Sequence, residues 1–311
     1  MKEDSLKVNV KEDKLEDFFL IVYFYVDEIY QQLQHWVRRP GPKPDFSDSE
    51  VIALNLIGQM VSDSENAWHR FVRKNYLHLF PDLTSRSRYH RRCKNLQQLT
   101  ELMRLVMIQL IGAHEEPWHI LDSIPVPVCV YVRAGRNDRF CTEFQVDNDL
   151  LYGRCASKDQ KVYGFKLHLM VTIQGTPVHY VLAPAAYHDV DLAPEVLETY
   201  RPYISLGTDK GYVGLNKKLQ CPEAYQLIIP PRKNQKMKLS KEEKLFLKKY
   251  RRIVETTGSI LVEQFNLQYT RARSKWGLTG RIISKLTSLT MAILLNHLAG
   301  EPLLHVKELI F

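Results

Sequence analysis

Residues Trp118–Pro127 read WHILDSIPVP. An apolar run, Ile120 and Leu121 with Ile124 and Val126 beyond, carries one carboxylate, Asp122. Such a run predicts a buried strand. A carboxylate inside a strand is costly unless it meets a cation, a metal or a set of donors. Downstream, two segments offer it partners. One is GTDKGYVG over 207–214, with Asp209; the other is YRRIVETTGSILVEQF over 250–265, with Glu255.

Composition bounds what surrounds this stretch. A chain of 311 residues is long enough for two domains, or for one large domain with an extension. Its net charge of +8 and pI of about 9.1 suit a polyanionic partner without requiring one. The five cysteines, Cys93, Cys129, Cys141, Cys155 and Cys221, form no C-x-x-C pair, which argues against a zinc cage and for reduced thiols. The charged start, MKEDSLKVNVKEDK, has no signal-peptide apolar core. The apolar run from Phe18 to Val26 falls short of the about 20 residues of a membrane span, so it reads as a core helix.

Upstream of Trp118 the pattern is helical. Residues 1–14 read as a charged tail, and a helix is expected over 15–37, broken by RPGPKP at 39–44. Ser47-x-x-Glu50 is a capping box that opens a helix over 48–62. Further helices are expected over 68–76 and 96–113. Between them SRSRYHRRCKN, residues 85–95, has five cations and no acid. On a helix Arg88, Arg91 and Arg92 share a face, either solvated or in contact with phosphate.

Downstream the period changes. KVYGFKLHLMVTI, residues 161–173, alternates Phe165, Leu167, Leu169, Val171 and Ile173 against Lys166, His168 and Thr172, which predicts a strand with one polar face. Gln174-Gly175 turns into a second strand over 176–183. A helix is expected over 191–200, a strand over 203–208, a short helix over 211–219, a strand over 225–230, and helices over 241–267 and 279–298. The fold class is therefore α/β: a mixed sheet flanked by helices, preceded by an all-α region.

Asp122 lies in the first of these strands and Asp209 at the carboxyl end of a later one, where open α/β sheets gather ligands. Glu255 sits on the long helix, with Arg251 one turn earlier on the same face. Phosphodiester cleavage needs an activated nucleophile and a stabilised leaving oxygen, and two Mg²⁺ ions about 3.5–4 Å apart serve both needs. Carboxylates suit such hard ions. Taken alone, Asp122 fits an arginine partner as well as a metal, and Glu255 fits a solvated helix face. Asp189 and Asp191, beside His188, compete for a catalytic role on chemical grounds, but Asp189 is expected to be a helix cap.

Cations are concentrated in one segment. Arg232 to Arg252 holds ten Lys or Arg, including Arg232, Lys233, Lys236, Lys249, Arg251 and Arg252, against two acids. The net of +8 equals that of the whole chain, so the remainder is balanced. Arg271 and Arg273 follow, beside Trp276. Such a distribution suits contact with phosphates regardless of sequence.

The stretches ILDSIPVPVC, KVYGFKLHLMVT, LAPAAYHDV, GTDKGYVG, IPPRKNQ and IVET…VEQFNLQYTRARSKWGL, with DSEVIALNLIGQ and LFPDLTSRSRYHRR upstream, carry a resemblance across most of the chain. In them the chain resembles DDE transposases of bacterial insertion sequences, most closely insertion-sequence family 982. The resemblance implies a ribonuclease-H-like core over 115–299, a helical DNA-binding region over 1–114 and a tail over 300–311. It places the catalytic and metal-binding triad on Asp122, Asp209 and Glu255. It further implies two Mg²⁺ ions, with Mn²⁺ as a substitute. The expected partners are double-stranded DNA, namely the element's terminal inverted repeats and a target, engaged by a homodimer on paired ends. No membrane partner is expected, and the expected location is the bacterial cytoplasm at the nucleoid. Related transposases often carry a Tyr and a Lys where this chain has Lys248 and Val262; Lys249, Arg252 or Arg271 is expected to replace that lysine. A nuclease that cuts without joining, and a DNA-binding protein without catalysis, are the other functions compatible with these residues.

Overall fold

In the computed structural model, residues 12–37, 41–136, 138–155, 160–232 and 239–310 are described. The tail through residue 11 and the lysines Lys233 and Lys236 lie outside the described residues. The chain divides into two compact units, Met1–Ile111 with Gln264–Asn266 and Trp276–Phe311, and Gly112–Glu263 with Leu267–Lys275.

The first unit is helical: α1 Glu12–Leu33, α2 Asp48–Val61, α3 Glu65–Asn75, α4 Arg86–Asn95 and α5 Gln97–Leu110. The capping box at α2 is complete, since the Ser47 hydroxyl accepts from Glu50 N–H at 3.1 Å and the Glu50 carboxylate from Ser47 N–H at 2.6 Å. Phe19 of α1 packs against the rings of Trp68, Tyr76 and Phe80. The C-terminal helix, Lys275–Ala299, is long and apolar enough to cross a membrane by length and composition, yet most of it is buried. It is a core helix of this unit. Its Ser288 hydroxyl donates to the Leu56 carbonyl at 3.0 Å, and Lys285 Nζ donates to Gln59 Oε1 at 2.9 Å. These bonds satisfy polar groups that burial would otherwise leave stranded.

The second unit holds the sheet. In chain order it has β1 Trp118–Pro127, α6 Arg139–Phe144, β2 Tyr152–Cys155, β3 Gln160–Thr172, β4 Pro177–Pro184, α7 Asp189–Glu198, β5 Ile204–Gly207, β6 Tyr225–Ile228 and α8 Lys241–Ser259. The order across the sheet is β2-β3-β1-β5-β6, with β4 also paired to β3. β1 runs antiparallel to β3 and parallel to β5. This mixed sheet with helices, which follows a helical region along the chain, is consistent with the ribonuclease-H-like class.

Three details differ from what the sequence predicts. β3 has no solvated face: His168 is fully buried and Thr172 nearly so, because α7 packs against β3 and α8 against β1 and β5. The helix expected over 211–219 is two separate 3₁₀ turns, Lys210–Tyr212 and Leu215–Lys217, with Gly214 at φ 99° between them. The long helix ends at Ser259, widens into a π turn over Ile260–Gln264, and stops at Asn266, whose φ of 51° is left-handed.

Candidate active site

The register of β1 on β5 sets the site. The last parallel pair is Ile120 with Gly207, and two residues further along the chain from each stand Asp122, still within β1, and Asp209, past the end of β5. Trp118 stacks on Phe246 of α8 with ring centres 4.7 Å apart. A Cβ on Gly207 would meet Ile120, Phe246 and Leu247, and one on Gly258 would meet Ile124 at 3.4 Å. Trp118, Ile120 and Ile124 thus face α8, and strand alternation puts Asp122 on that face too.

Asp122 Oδ1 accepts a hydrogen bond from Ser123 N–H at 2.8 Å. Burial pushes its carboxyl up to about 6; the Ser123 N–H opposes this, the charges of Asp209 and Asp189 add to it, and Arg251 opposes it. Asp209 is half-buried and caps the turn after β5, its Oδ1 accepting from Gly211 N–H at 2.7 Å.

Asp189 departs from its expected role. The residue capping α7 is His188, with no side-chain cap bond, and Asp189 lies in the first turn. Its Oδ1 accepts from Lys166 Nζ at 3.1 Å, and Lys166 also donates to the Tyr187 carbonyl at 2.9 Å. A Cβ on Gly211 would fall 2.9 Å from Asp209 Oδ1 and 3.6 Å from Asp189 Oδ2. Both carboxylates thus lie against the position a Gly211 side chain would take, and an alanine there would push on Asp209 Oδ1. Fully buried beside them, the Tyr212 hydroxyl has no hydrogen-bond partner, nor do the two ring nitrogens of His168. Burial raises the Tyr212 phenol well above its ordinary value, and the charges of Asp189, Asp122 and Asp209 raise it further. Burial lowers His168 to about 4 against the opposing charge of Asp189.

Glu255 stands on α8 in the turn before Gly258. Its side chain is half exposed, and its Oε1 accepts from Arg251 Nε at 3.0 Å. The structure therefore sets Asp209 and Asp189 beside Gly211, with Asp122 within the reach of their charges, and leaves Glu255 on Arg251. Among the described residues no three Asp, Glu, His or Cys stand at the spacing of one metal ion.

A family model described as a transposase DDE domain matches residues 120–291. The chain belongs to the DDE transposase family. No curated protein and no solved structure matches it. DDE transposases cleave and transfer DNA strands and generally use a divalent metal. The residues of this DDE domain offer such an ion hard oxygen donors, Asp122 within β1 and Asp209 just past β5, and burial together with the charges of Asp209 and Asp189 disfavours the ionised Asp122, a load that a cation would relieve. Sequence reasoning weighs Asp189 as a catalytic acid but prefers a helix cap, and it misses the Lys166 partner and the buried Tyr212. The signals were a lysine in the strand β3 and the pairs His188-Asp189 and Gly211-Tyr212.

The cations expected at DNA fall into two groups. In the helical unit of the DDE transposase, Arg88 and Arg91 are exposed, but Arg92 turns inward, donating to Asp48 Oδ1 at 2.6 Å and to the Phe46 carbonyl. In the DDE domain Arg232, Lys249, Arg251 and Arg252 are exposed, with Lys249 over the Tyr250 ring at 4.9 Å. Arg271 and Arg273 join Arg139 around a recess of about 490 Å³. Replacing Arg88 and Arg91 together by Ala is expected to weaken binding to all DNA sequences alike. It should flatten the salt dependence by roughly one unit of slope for each phosphate that is no longer neutralised. A slope equal to the parent's in a salt titration would mean that these arginines only solvate the helix.

Proposed function

We propose that this DDE transposase belongs to insertion-sequence family 982 and moves its own element. It binds the terminal inverted repeats as a homodimer on paired ends, cuts the strands with water and joins the freed 3′-OH to target DNA, in the bacterial cytoplasm at the nucleoid. The observation that supports this reading is that Asp122 and Asp209 each follow the last paired residues of β1 and β5, Ile120 and Gly207, by two positions. In this reading residues 1–114 supply DNA affinity, residues 115–299 the chemistry, and 300–311 a tail.

Asp122, Asp209 and Glu255 would hold two Mg²⁺ ions, or Mn²⁺ in their place, which when bound supply Lewis acidity to the attacking and leaving oxygens. The chain's own residues prepare the site. The Ser123 and Gly211 N–H groups fix one oxygen each of Asp122 and Asp209. Arg251 restrains Glu255 through an exposed i,i+4 pair, an interaction of about 0.3–0.5 kcal/mol. That is small enough to be given up when Glu255 turns to the aspartates. The exposed cations of α8, Lys248, Lys249 and Arg252, draw phosphate to the same helix.

A marker flanked by candidate terminal repeats, supplied with this chain in bacterial cells, is expected to move to new positions. It should stay in place with Asp209→Asn. Cleavage at the repeats without any joined product would favour a nuclease instead, and movement undiminished by Asp209→Asn would refute the reading.

A further inference from the structure

Apart from the triad, β2 and β3 build a second polar feature of the DDE domain. They run antiparallel, with Tyr152 opposite Tyr163 and Arg154 opposite Lys161. Strand alternation puts Tyr152, Arg154 and Lys161 on one face of this pair. Like charges directly opposite one another destabilise a sheet. The pairing of Arg154 with Lys161 therefore carries a cost that an anion held between them would offset. The Lys161 ammonium lies over the Tyr131 ring, 5.7 Å from its centre. Tyr131 in turn meets Tyr152 edge to face, with ring centres 5.7 Å apart.

These four side chains share a recess of about 410 Å³ with Gly153, Ala185 and Lys166. Small-ligand sites run from about 300 to 1,000 Å³. Gly153 makes one wall possible, since a Cβ there would strike the Ala185 backbone. Ala186 N–H donates to the Leu150 carbonyl at 2.9 Å, which holds that wall at the start of β2. Lys166 joins the recess to the acids of the candidate active site. It donates to Asp189 Oδ1 at 3.1 Å and to the Tyr187 carbonyl at 2.9 Å, so it is matched within the protein. Arg154 and Lys161 are exposed and stand where an incoming anion would meet them.

Cations interleaved with aromatic rings suit single-stranded nucleic acid, the cations taking phosphates and the rings taking bases. In a duplex the base faces are stacked on one another, so rings set in a recess gain little from them. An unpaired base, at a nick or a frayed end, offers its face. From this we infer that the recess holds one unpaired nucleotide of a DNA strand, with its base against Tyr131 and Tyr152 and its phosphate between Arg154 and Lys161. The nucleotide is then held one lysine away from Asp189. The inference rests on the reading of DNA as the substrate of this chain.

The test uses the full chain in chelator, so that no strand is cut, and follows the fluorescence anisotropy of a labelled oligothymidine strand and of a labelled blunt duplex. The parent should bind both. Tyr131→Ala should bind the single strand about fivefold more weakly or worse, the scale of one lost stack, and the duplex as the parent does. Tyr131→Phe keeps the ring and should bind the single strand like the parent. Lys161→Ala should weaken the single strand too and lower its salt slope by about 0.7, the value for one phosphate. Both positions are exposed, and parent-like melting and far-ultraviolet dichroism identify the folded variants. Parent-like single-strand affinity in folded Tyr131→Ala or folded Lys161→Ala would overturn the inference. So would Tyr131→Phe as weak as Tyr131→Ala, an equal loss for the duplex in Tyr131→Ala, or a parent that binds duplex alone. A parent that binds neither DNA would instead overturn the reading of DNA as substrate.

Discussion

Asp122→Ala, Asp209→Ala and Glu255→Ala are each expected to lower cleavage and joining by on the order of 10⁴-fold or more, and the triple variant to be no worse than any single one. Groups that hold one centre act as a unit, so removing a second member takes away nothing that is still working. DNA binding should survive, because the exposed cations of α8 remain. In chelator it should tighten slightly, since an acid that repels phosphate has gone. Mn²⁺ should replace Mg²⁺, as it accepts oxygen donors in octahedral geometry. Asp189→Ala should lose far less activity than the three. Strand-product gels separate these outcomes. Normal joining by Glu255→Ala would place the third carboxylate elsewhere, and a loss in Asp189→Ala as deep as in Asp122→Ala would point to Asp189.

The second large effect is on stability, and it runs in the direction opposite to most buried-site substitutions. In chelator, Asp122→Asn is expected to be more stable than the parent at pH 7, by up to about 3 kcal/mol. The carboxyl of Asp122 is raised from 3.8 to about 6 in the folded chain. Below about pH 4 it is neutral in both folded and unfolded chains and disfavours neither. As pH rises from about 4 to 6 the unfolded chain ionises while the folded one holds its proton, so the folded state loses ground. Above about 6 the loss is complete. Asparagine carries no charge and keeps an oxygen for the Ser123 N–H, so the gap between variant and parent should open over this window and vanish below it. Urea melts at several pH values measure it. Equal gaps at pH 4 and pH 7 would mean that the Asp122 carboxylate is not held against burial and its neighbours' charge.

Much of the framework is legible in the sequence because local physics decides it. Ser47 and Glu50 announce α2, since a capping box needs only four consecutive residues. The apolar run around Asp122 announces β1, and Gly175, at φ 94°, turns β3 into β4 as the Gln174-Gly175 pair predicts. What is not legible depends on residues distant in sequence. Helical spacing puts Arg92 on a face with Arg88 and Arg91, but only the fold brings Asp48, 44 positions earlier, to meet it. Alternation shows two faces on β3 without showing that α7 covers the one bearing His168. α6 and β2 have six and four residues, too short for a period to declare itself. Asp189 reads as a cap because it opens a helix, and its neighbours Lys166 and Gly211 come from other elements. Order along the chain likewise does not reveal that the C-terminal helix clusters with the first helical unit from Trp276 onward.

The most direct test of the central claim is one reaction: linear DNA ending in candidate terminal repeats, a target plasmid, the full chain and Mg²⁺, with nicked and joined products resolved on one gel. If Asp122 and Asp209 form a cation-dependent centre for both steps, nicks at the repeat ends appear first and joined products follow. Both should be absent with chelator and with Asp122→Ala. Nicks and joined products that persist in chelator, or that Asp122→Ala forms at the parent's rate, would contradict it.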